Sequence, residues 1–329
     1  MITRRGFLRG SAAVAAGALV MQRSSPASLL QNPQTLPNPQ TPVAPSPSNF
    51  IQTMRAAGST TPIQTTKLTD TIFLLQGVGS NMVAQIGPDG KVLIDSSVAT
   101  AAPAILHALE KLGPRPPKFL INTHWHFDHT DGNAALHLAG ALIIAQENTR
   151  VRMSAPQTAK LLNLSVPASS TAGLPQLTFP ETEKLFVNND ELDLVHTPNA
   201  HTDSDIYIRF VNGNVIHTGD LWFNGYYPII DQDSGGTING MIRAVDEILA
   251  IADDRTKIVP GHGPAGDKRA LQKYRDMLST VANRIEKLKI SGQSLQQAIA
   301  AKPTADFDAQ MGHGMMTPEL FVTVIYDTL

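Results

Sequence analysis

From about residue 71 the chain alternates short apolar runs with turn residues. Thr71-Ile72-Phe73-Leu74-Leu75-Gln76, Asn81-Met82-Val83-Ala84-Gln85-Ile86 and Lys91-Val92-Leu93-Ile94-Asp95 predict three strands, with a turn at Gly87-Pro88-Asp89-Gly90. The apolar spacing lengthens to that of a helix near 100–112, and Pro117 to Asn122 reads as a short buried strand. Asp131-Gly132-Asn133 and the apolar run after it read as a helix start with Asp131 as N-cap. Asp205 to Phe210 and Asn214 to His217 predict a hairpin across Asn212-Gly213. Helical periodicity returns at 238–252, 267–289 and 315–328. Strands and helices mixed in this order argue a layered α/β domain.

The flanks differ in character. Thr3-Arg4-Arg5-Gly6-Phe7-Leu8-Arg9 precedes an Ala/Gly-rich apolar stretch to about Met21, then Arg23-Ser24-Ser25-Pro26-Ala27. That layout predicts a cleaved signal peptide over 1–27, and the twin arginine resembles a Tat export signal. The apolar run is too short to span a bilayer comfortably. The expectation is a periplasmic or otherwise exported protein, without stable membrane insertion after cleavage. Residues 28–66, rich in Pro, Gln, Ser and Thr, predict a linker, leaving 67–329 as one folded domain. Within it, 154–180 is a Ser/Pro/Thr-rich insert, a lid or an ordered surface excursion. The formal net charge of −2 and the lack of a basic run argue against nucleic acid as a partner. The chain has no cysteine, which excludes disulfides and thiolate ligands.

The chemistry concentrates in His124-Trp125-His126-Phe127-Asp128-His129, followed by His201, Asp220 and His262. Histidines at i and i+2 face the same way only on extended or looped backbone. They therefore belong to the loop leaving the 117–122 strand, where open α/β sheets place ligands. Seven donors are too many for one tetrahedral zinc, which in catalytic sites keeps about three protein ligands and an open position. Divided, they make two sites: His124, His126 and His201 for a first metal, and Asp128, His129 and His262 for a second. Asp220, with its two oxygens, bridges them. His107, His137, His196, His217 and His313 read instead as ordinary satisfied polar groups.

These segments, with Ala200-His201-Thr202-Asp203, His217-Thr218-Gly219-Asp220 and Val259-Pro260-Gly261-His262-Gly263, resemble the metallo-β-lactamase superfamily in order and spacing. The resemblance implies a four-layer αββα sandwich with the metal pair at one edge of two facing sheets. It implies two zinc ions, with iron or manganese as alternatives, and a metal-bridging hydroxide that attacks a small-molecule carbonyl substrate: a lactam, lactone, ester or thioester. Asp128 is the expected catalytic carboxylate, orienting that hydroxide. Asp203 or Asp205 is expected to accept a hydrogen bond from a ligand histidine. Trp125, Phe127, Trp222, Phe223, Asn224, Tyr226 and Tyr227 are candidate neighbours of the cleft, and His313 a residue near its mouth. One large class of true β-lactamases has cysteine at the Asp220 position and a lysine soon after. Here the following stretch is Leu221-Trp222-Phe223-Asn224-Gly225, so the pattern is closer to thioesterases and lactonases. An iron-dependent sulfur dioxygenase and a non-catalytic metal-binding accessory protein are the competing readings.

Overall fold

The computed structural model describes residues 47–329; the expected signal peptide and the first part of the expected linker lie outside the described residues. The second part of that linker is structured. Residues 47–66 carry helix α1 (Pro47–Gly58) and most of strand β1 (Gln64–Lys67). The polar composition hid a helix whose Phe50, Ile51 and Met54 pack on the core. Arg55 clamps α1 to Asp131 through Nε and Nη2 at 2.9 and 2.6 Å.

The three strands expected after residue 70 form as β2 (Ile72–Gln76), β3 (Met82–Gln85) and β4 (Lys91–Ile94), followed by helix α2 (Ala102–Lys111) and β5 (Pro117–Ile121). The histidine motif leaves β5 and runs into a single helical turn, α3 (Phe127–Thr130). Asp131 ends that turn, and the next helix, α4 (Asn133–Leu138), starts at Gly132 without a side-chain cap. Asp131 is therefore no N-cap: its carboxylate is taken by Arg55 and by the Ala99 amide. Strand β6 (Leu142–Gln146) and helix α5 (Glu147–Met153) lead into the 154–180 segment. That segment is an ordered excursion. It holds a small hairpin, β7 (Gln157–Ala159) with β8 (Leu164–Val166), and then β9 (Leu177–Phe179), which joins the main sheet beside β6.

The first sheet runs β1-β2-β3-β4-β5-β6-β9, antiparallel as far as β4 and parallel from β4 onward. The second is built from β10 (Thr182–Val187), β11 (Asp190–His196), β12 (Ile206–Phe210), β13 (Val215–His217) and, after helix α6 (Ile238–Ile251), β14 (Lys257–Val259), paired parallel to β13. Helices α7 (Lys268–Ile290), α8 (Leu295–Ala300), α9 (Ala305–Met311) and α10 (Pro318–Thr328) complete the chain.

Side-chain alternation makes the layers. In β4, Val92 and Ile94 face the second sheet while Leu93 faces α2. In β12, Ile206, Ile208 and Phe210 face the first sheet while Tyr207 faces the helices beyond. The inter-sheet core also takes Leu74, Val83, Ile121, Leu192 and Val259. Helices α1, α2 and α4 cover the outer face of the first sheet, and α6, α7, α8 and α10 that of the second. The architecture is the expected αββα sandwich.

Ile208 is fully buried at the centre of the contact between the sheets. Ile208→Ala is expected to cost about 2–5 kcal/mol in urea-induced unfolding, because neither sheet can collapse into the void. A loss well under 1 kcal/mol would mean that the two sheets do not share this core.

Candidate metal centre

The seven donor residues come from loops at one end of both sheets. His124, His126, Asp128 and His129 follow β5, His201 precedes β12, Asp220 follows β13 and His262 follows β14. Backbone bonds tie these loops together: Ile206 N to Thr123 O (2.8 Å), Gly261 N to Gly219 O (2.7 Å) and Asn81 N to Gly261 O (2.8 Å). The Asn81 side chain adds Pro260 O and Gly263 O at 2.9 and 2.8 Å. Two glycines make room. Gly219 has φ +51°, and a Cβ there would meet Thr123 Cβ at 2.6 Å; a Cβ on Gly261 would lie 1.9 Å from Asp220 Oδ1.

Two groups of donor atoms result, each within 4.8 Å of one another: His124, His126, His201 with Asp220, and Asp128, His129 with His262. The Asp220 carboxylate faces both. Its Oδ2 lies 3.4 Å from His201 Nε2 and 3.9 Å from His124 Nε2. Its Oδ1 lies 3.1 Å from His129 Nε2 and 3.4 Å from His262 Nε2. Asp128 Oδ2 is 3.3 Å from His262 Nε2 and 3.8 Å from His129 Nε2. The structure thus brings all seven residues together, in two groups of donor atoms.

The outer bonds set the imidazole tautomers. His129 Nδ1–H donates to Asp95 Oδ2 (2.7 Å), and His201 Nδ1–H to the Ile229 carbonyl (2.7 Å), which turns each Nε2 inward. His126 is reversed: Nε2–H donates to Asp231 Oδ2 (3.1 Å), so Nδ1 points inward, 2.8 Å from His201 Nε2. Thr123 Oγ1 donates its proton to Asp95 (2.8 Å) and therefore accepts from His124 Nδ1–H (3.1 Å). His262 stacks on Phe223, ring centroids 5.2 Å apart.

Asp203 and Asp205 do not take the expected place. Asp203 pairs with Arg152 at 2.7 Å, and Asp205 accepts from the Thr202 amide and hydroxyl, both at 2.7 Å. The acceptors are Asp95 and Asp231, which proximity in sequence to a ligand did not single out. Asp95 carries one legible signal, an aspartate at a strand end. It sits fully buried at φ +62°, a costly conformation for a residue other than glycine. Asp231, eleven residues past Asp220, has no sequence signal.

The electrostatics differ between the groups. Burial, with cationic neighbours, pushes His124 far below the usual imidazole range and His201 to about 4. Burial also opposes charge on His129 and His262, but Asp220 and its fellow carboxylates outweigh it, holding His129 well above its usual value and His262 at about 10. Asp128 is likewise held at about 2 against burial by His129 and His262. His124 Nε2 is buried with no hydrogen-bond partner, while His129 Nε2 and Asp220 Oδ1 have only each other, at 3.1 Å. An unsatisfied buried polar group costs about 1–3 kcal/mol. A cation in each donor group would accept the inward-facing donor atoms of that group.

Of the aromatic candidates, Trp125, Phe127, Phe223, Tyr226 and Tyr227 line a cavity over the centre. Trp222 is buried in the core beside the helices, and Asn224 is engaged with the Pro264 carbonyl. His313 bonds the Ala309 carbonyl, while its neighbours Gly314, Met315 and Met316 line the cavity. The histidines read as structural behave so; His217, for example, accepts from the Gly219 amide and bonds the Asn81 carbonyl.

The metallo-beta-lactamase superfamily model matches residues 75–262. A probable metallo-hydrolase of Methanocaldococcus jannaschii is 30% identical over 209 residues, covering 60% of this chain and 96% of that protein. A hydroxyacylglutathione hydrolase of Polaromonas sp. is 29% identical over 145 residues, 44% of this chain and 47% of that protein. Among solved structures, a metallo-beta-lactamase from Pontibacter korlensis superposes with a TM-score of 0.56 at 18% identity, covering 66% of this chain and 99% of the other.

Two outcomes follow for metal binding. Asp95→Asn and Asp231→Asn are each expected to weaken it by about 10–100-fold in chelator competition; unchanged affinity in both would show that these carboxylates do not orient the ligands. In metal-free protein at neutral pH, His129 and His262 hold protons, whereas His124 and His201 are neutral. Loading the Asp128/His129/His262 group must displace protons, so its affinity falls as pH drops. Calorimetry in buffers of different ionisation heat measures this; metal uptake without proton release would contradict it.

Proposed function

This chain belongs to the metallo-β-lactamase superfamily and is a metal-dependent hydrolase, and from that premise we propose that it cleaves a small carbonyl substrate at a two-metal centre. The observation that carries the proposal is the Asp220 carboxylate, with one oxygen toward each complete donor group. A donor set rich in imidazole and free of thiolate suits zinc, with iron or manganese as alternatives. Ions of this kind supply Lewis acidity and a nucleophile drawn from water at neutral pH.

The protein's own part is positional. His124, His126 and His201 would hold the first ion and Asp128, His129 and His262 the second, with Asp220 shared between them. Asp95, Asp231, Thr123 and the Ile229 carbonyl fix the imidazole tautomers, so that no ligand must reorient as charge develops. Asp128 lines the cavity, with its side chain 16% exposed against 3% for Asp220. It is the ligand carboxylate best placed to orient the nucleophile and carry its proton. Phe223, stacked on His262, walls the centre from solvent.

The substrate is a lactam, lactone, ester or thioester. The thioester choice draws support from the hydroxyacylglutathione hydrolase likeness, and β-lactamase activity remains within the proposal. The proposed site of action is outside the cytoplasm, on the strength of the twin-arginine leader in residues 1–27. No helix among the described residues is long and apolar enough to cross a membrane.

The test is turnover by zinc-loaded protein of a chromogenic cephalosporin, an aryl lactone, a p-nitrophenyl ester and a thioester. Metal-dependent hydrolysis of at least one is expected, falling by at least about 100-fold in Asp128→Ala and Asp220→Ala. Full metal loading with no turnover of any class, or activity that survives Asp220→Ala, would overturn the reading.

A further inference from the structure

The cavity above the donor groups has a volume of about 530 Å³, in the range of small-molecule sites. Its floor includes His126, Asp128, Asp220 and His262. Its walls come from three places: Phe50 and Met54 on α1, Leu162 and Leu164 on the β7–β8 excursion, and Tyr226 with Met315 on the opposite side. Both α1 and the Met315 segment lie outside the span 75–262 matched by the superfamily model. Neither belongs to the span that carries the donors, and α1 is fixed in place. Phe50 meets Phe127 edge to face at 6.0 Å, and Arg55 is clamped to Asp131.

The charges in the wall are as informative as its apolar residues. Among the described residues, no lysine or arginine lines the cavity. The carboxylates beyond the ligands are occupied: Asp231 by His126 and Ser234, Asp233 by Lys160 at 2.8 Å. Lys160 itself is held outside by that pair, 81% exposed. Away from the donor groups, a charged end on the substrate would find no cation in this wall. An apolar chain would find aromatic, leucine and methionine surface, and methionine adapts to flexible chains.

Resting on the hydrolase reading above, we propose that this centre acts on uncharged carbonyl compounds bearing a medium-length apolar acyl chain, with α1, the β7–β8 excursion and the Met315 segment as the wall that selects them. The chain lies against Met54 and Leu164 while the carbonyl reaches the donor groups.

The experiment compares zinc-loaded protein on p-nitrophenyl acetate, p-nitrophenyl octanoate and the p-nitrophenyl monoester of suberic acid, which is the octanoyl chain ending in a carboxylate. Burying each added methylene gives about fourfold, so kcat/KM for octanoate is expected to exceed that for acetate by at least about 100-fold. The suberate monoester is expected to fall back toward acetate. Met54→Asp and Leu164→Asp are each expected to collapse the octanoate-to-acetate ratio. Binding is read separately, from the fluorescence of Trp125 in the cavity wall, as methyl octyl ketone or methyl ethyl ketone is titrated in. The longer ketone is expected to bind at least about 100-fold more tightly. If that preference appears while no ester, lactone, lactam or thioester is hydrolysed, the cavity assignment stands and the hydrolase reading fails. Equal rates on acetate and octanoate with no ketone preference, or a preference for the suberate monoester, overturn the inference.

Discussion

The Asp220 carboxylate lies between two sets of inward-facing imidazoles, and much of the surrounding structure keeps it there. It is nearly fully buried, and its Oδ1 faces His129 Nε2 at 3.1 Å. It sits at the end of β13, a strand of the second sheet, yet faces donors delivered by β5 of the first. The centre therefore exists only if the two sheets are packed in one register. The inter-sheet core built on Ile208, Ile121 and Val259 supplies that register, and the bond from Ile206 N to Thr123 O locks it at the working end. Gly219 and Gly261 are part of the same constraint, since a side chain at either would push into Thr123 or into Asp220 itself.

Much of this was legible in the sequence because ligand chemistry is written in residue types. Imidazoles and carboxylates at His124, His126, Asp128 and His129 have few uses at that spacing, and the later His201, Asp220 and His262 fall in turns. Alternating apolar runs made β2 to β5 and the β12–β13 hairpin visible. What stayed hidden depends on contacts distant in sequence. Asp131 has the form of an N-cap, but Arg55, 76 residues earlier, claims its carboxylate. Asp203 and Asp205 are close to His201 in sequence but are engaged by Arg152 and Thr202, while Asp95 and Asp231 arrive from other loops. Helix α1 was hidden by its Pro- and Thr-rich flanks, although its apolar face is ordinary. The short strands β7 to β9 lack a periodicity long enough to register.

The same division separates chemistry from selectivity. The donors come from the span matched by the superfamily model, whereas part of the cavity wall comes from α1 and the Met315 segment outside it. A shared centre fixes what bond can be broken, and in the proposal above the surrounding walls choose the molecule presented to it.

The central claim is that Asp220 joins two ions. The most direct test is anomalous diffraction from crystals of the zinc-loaded protein. The account predicts two peaks about 4 Å apart, one among His124, His126 and His201 and one among Asp128, His129 and His262, with one Asp220 oxygen on each. A single fully occupied peak at saturating zinc, or two peaks without Asp220 between them, would contradict it.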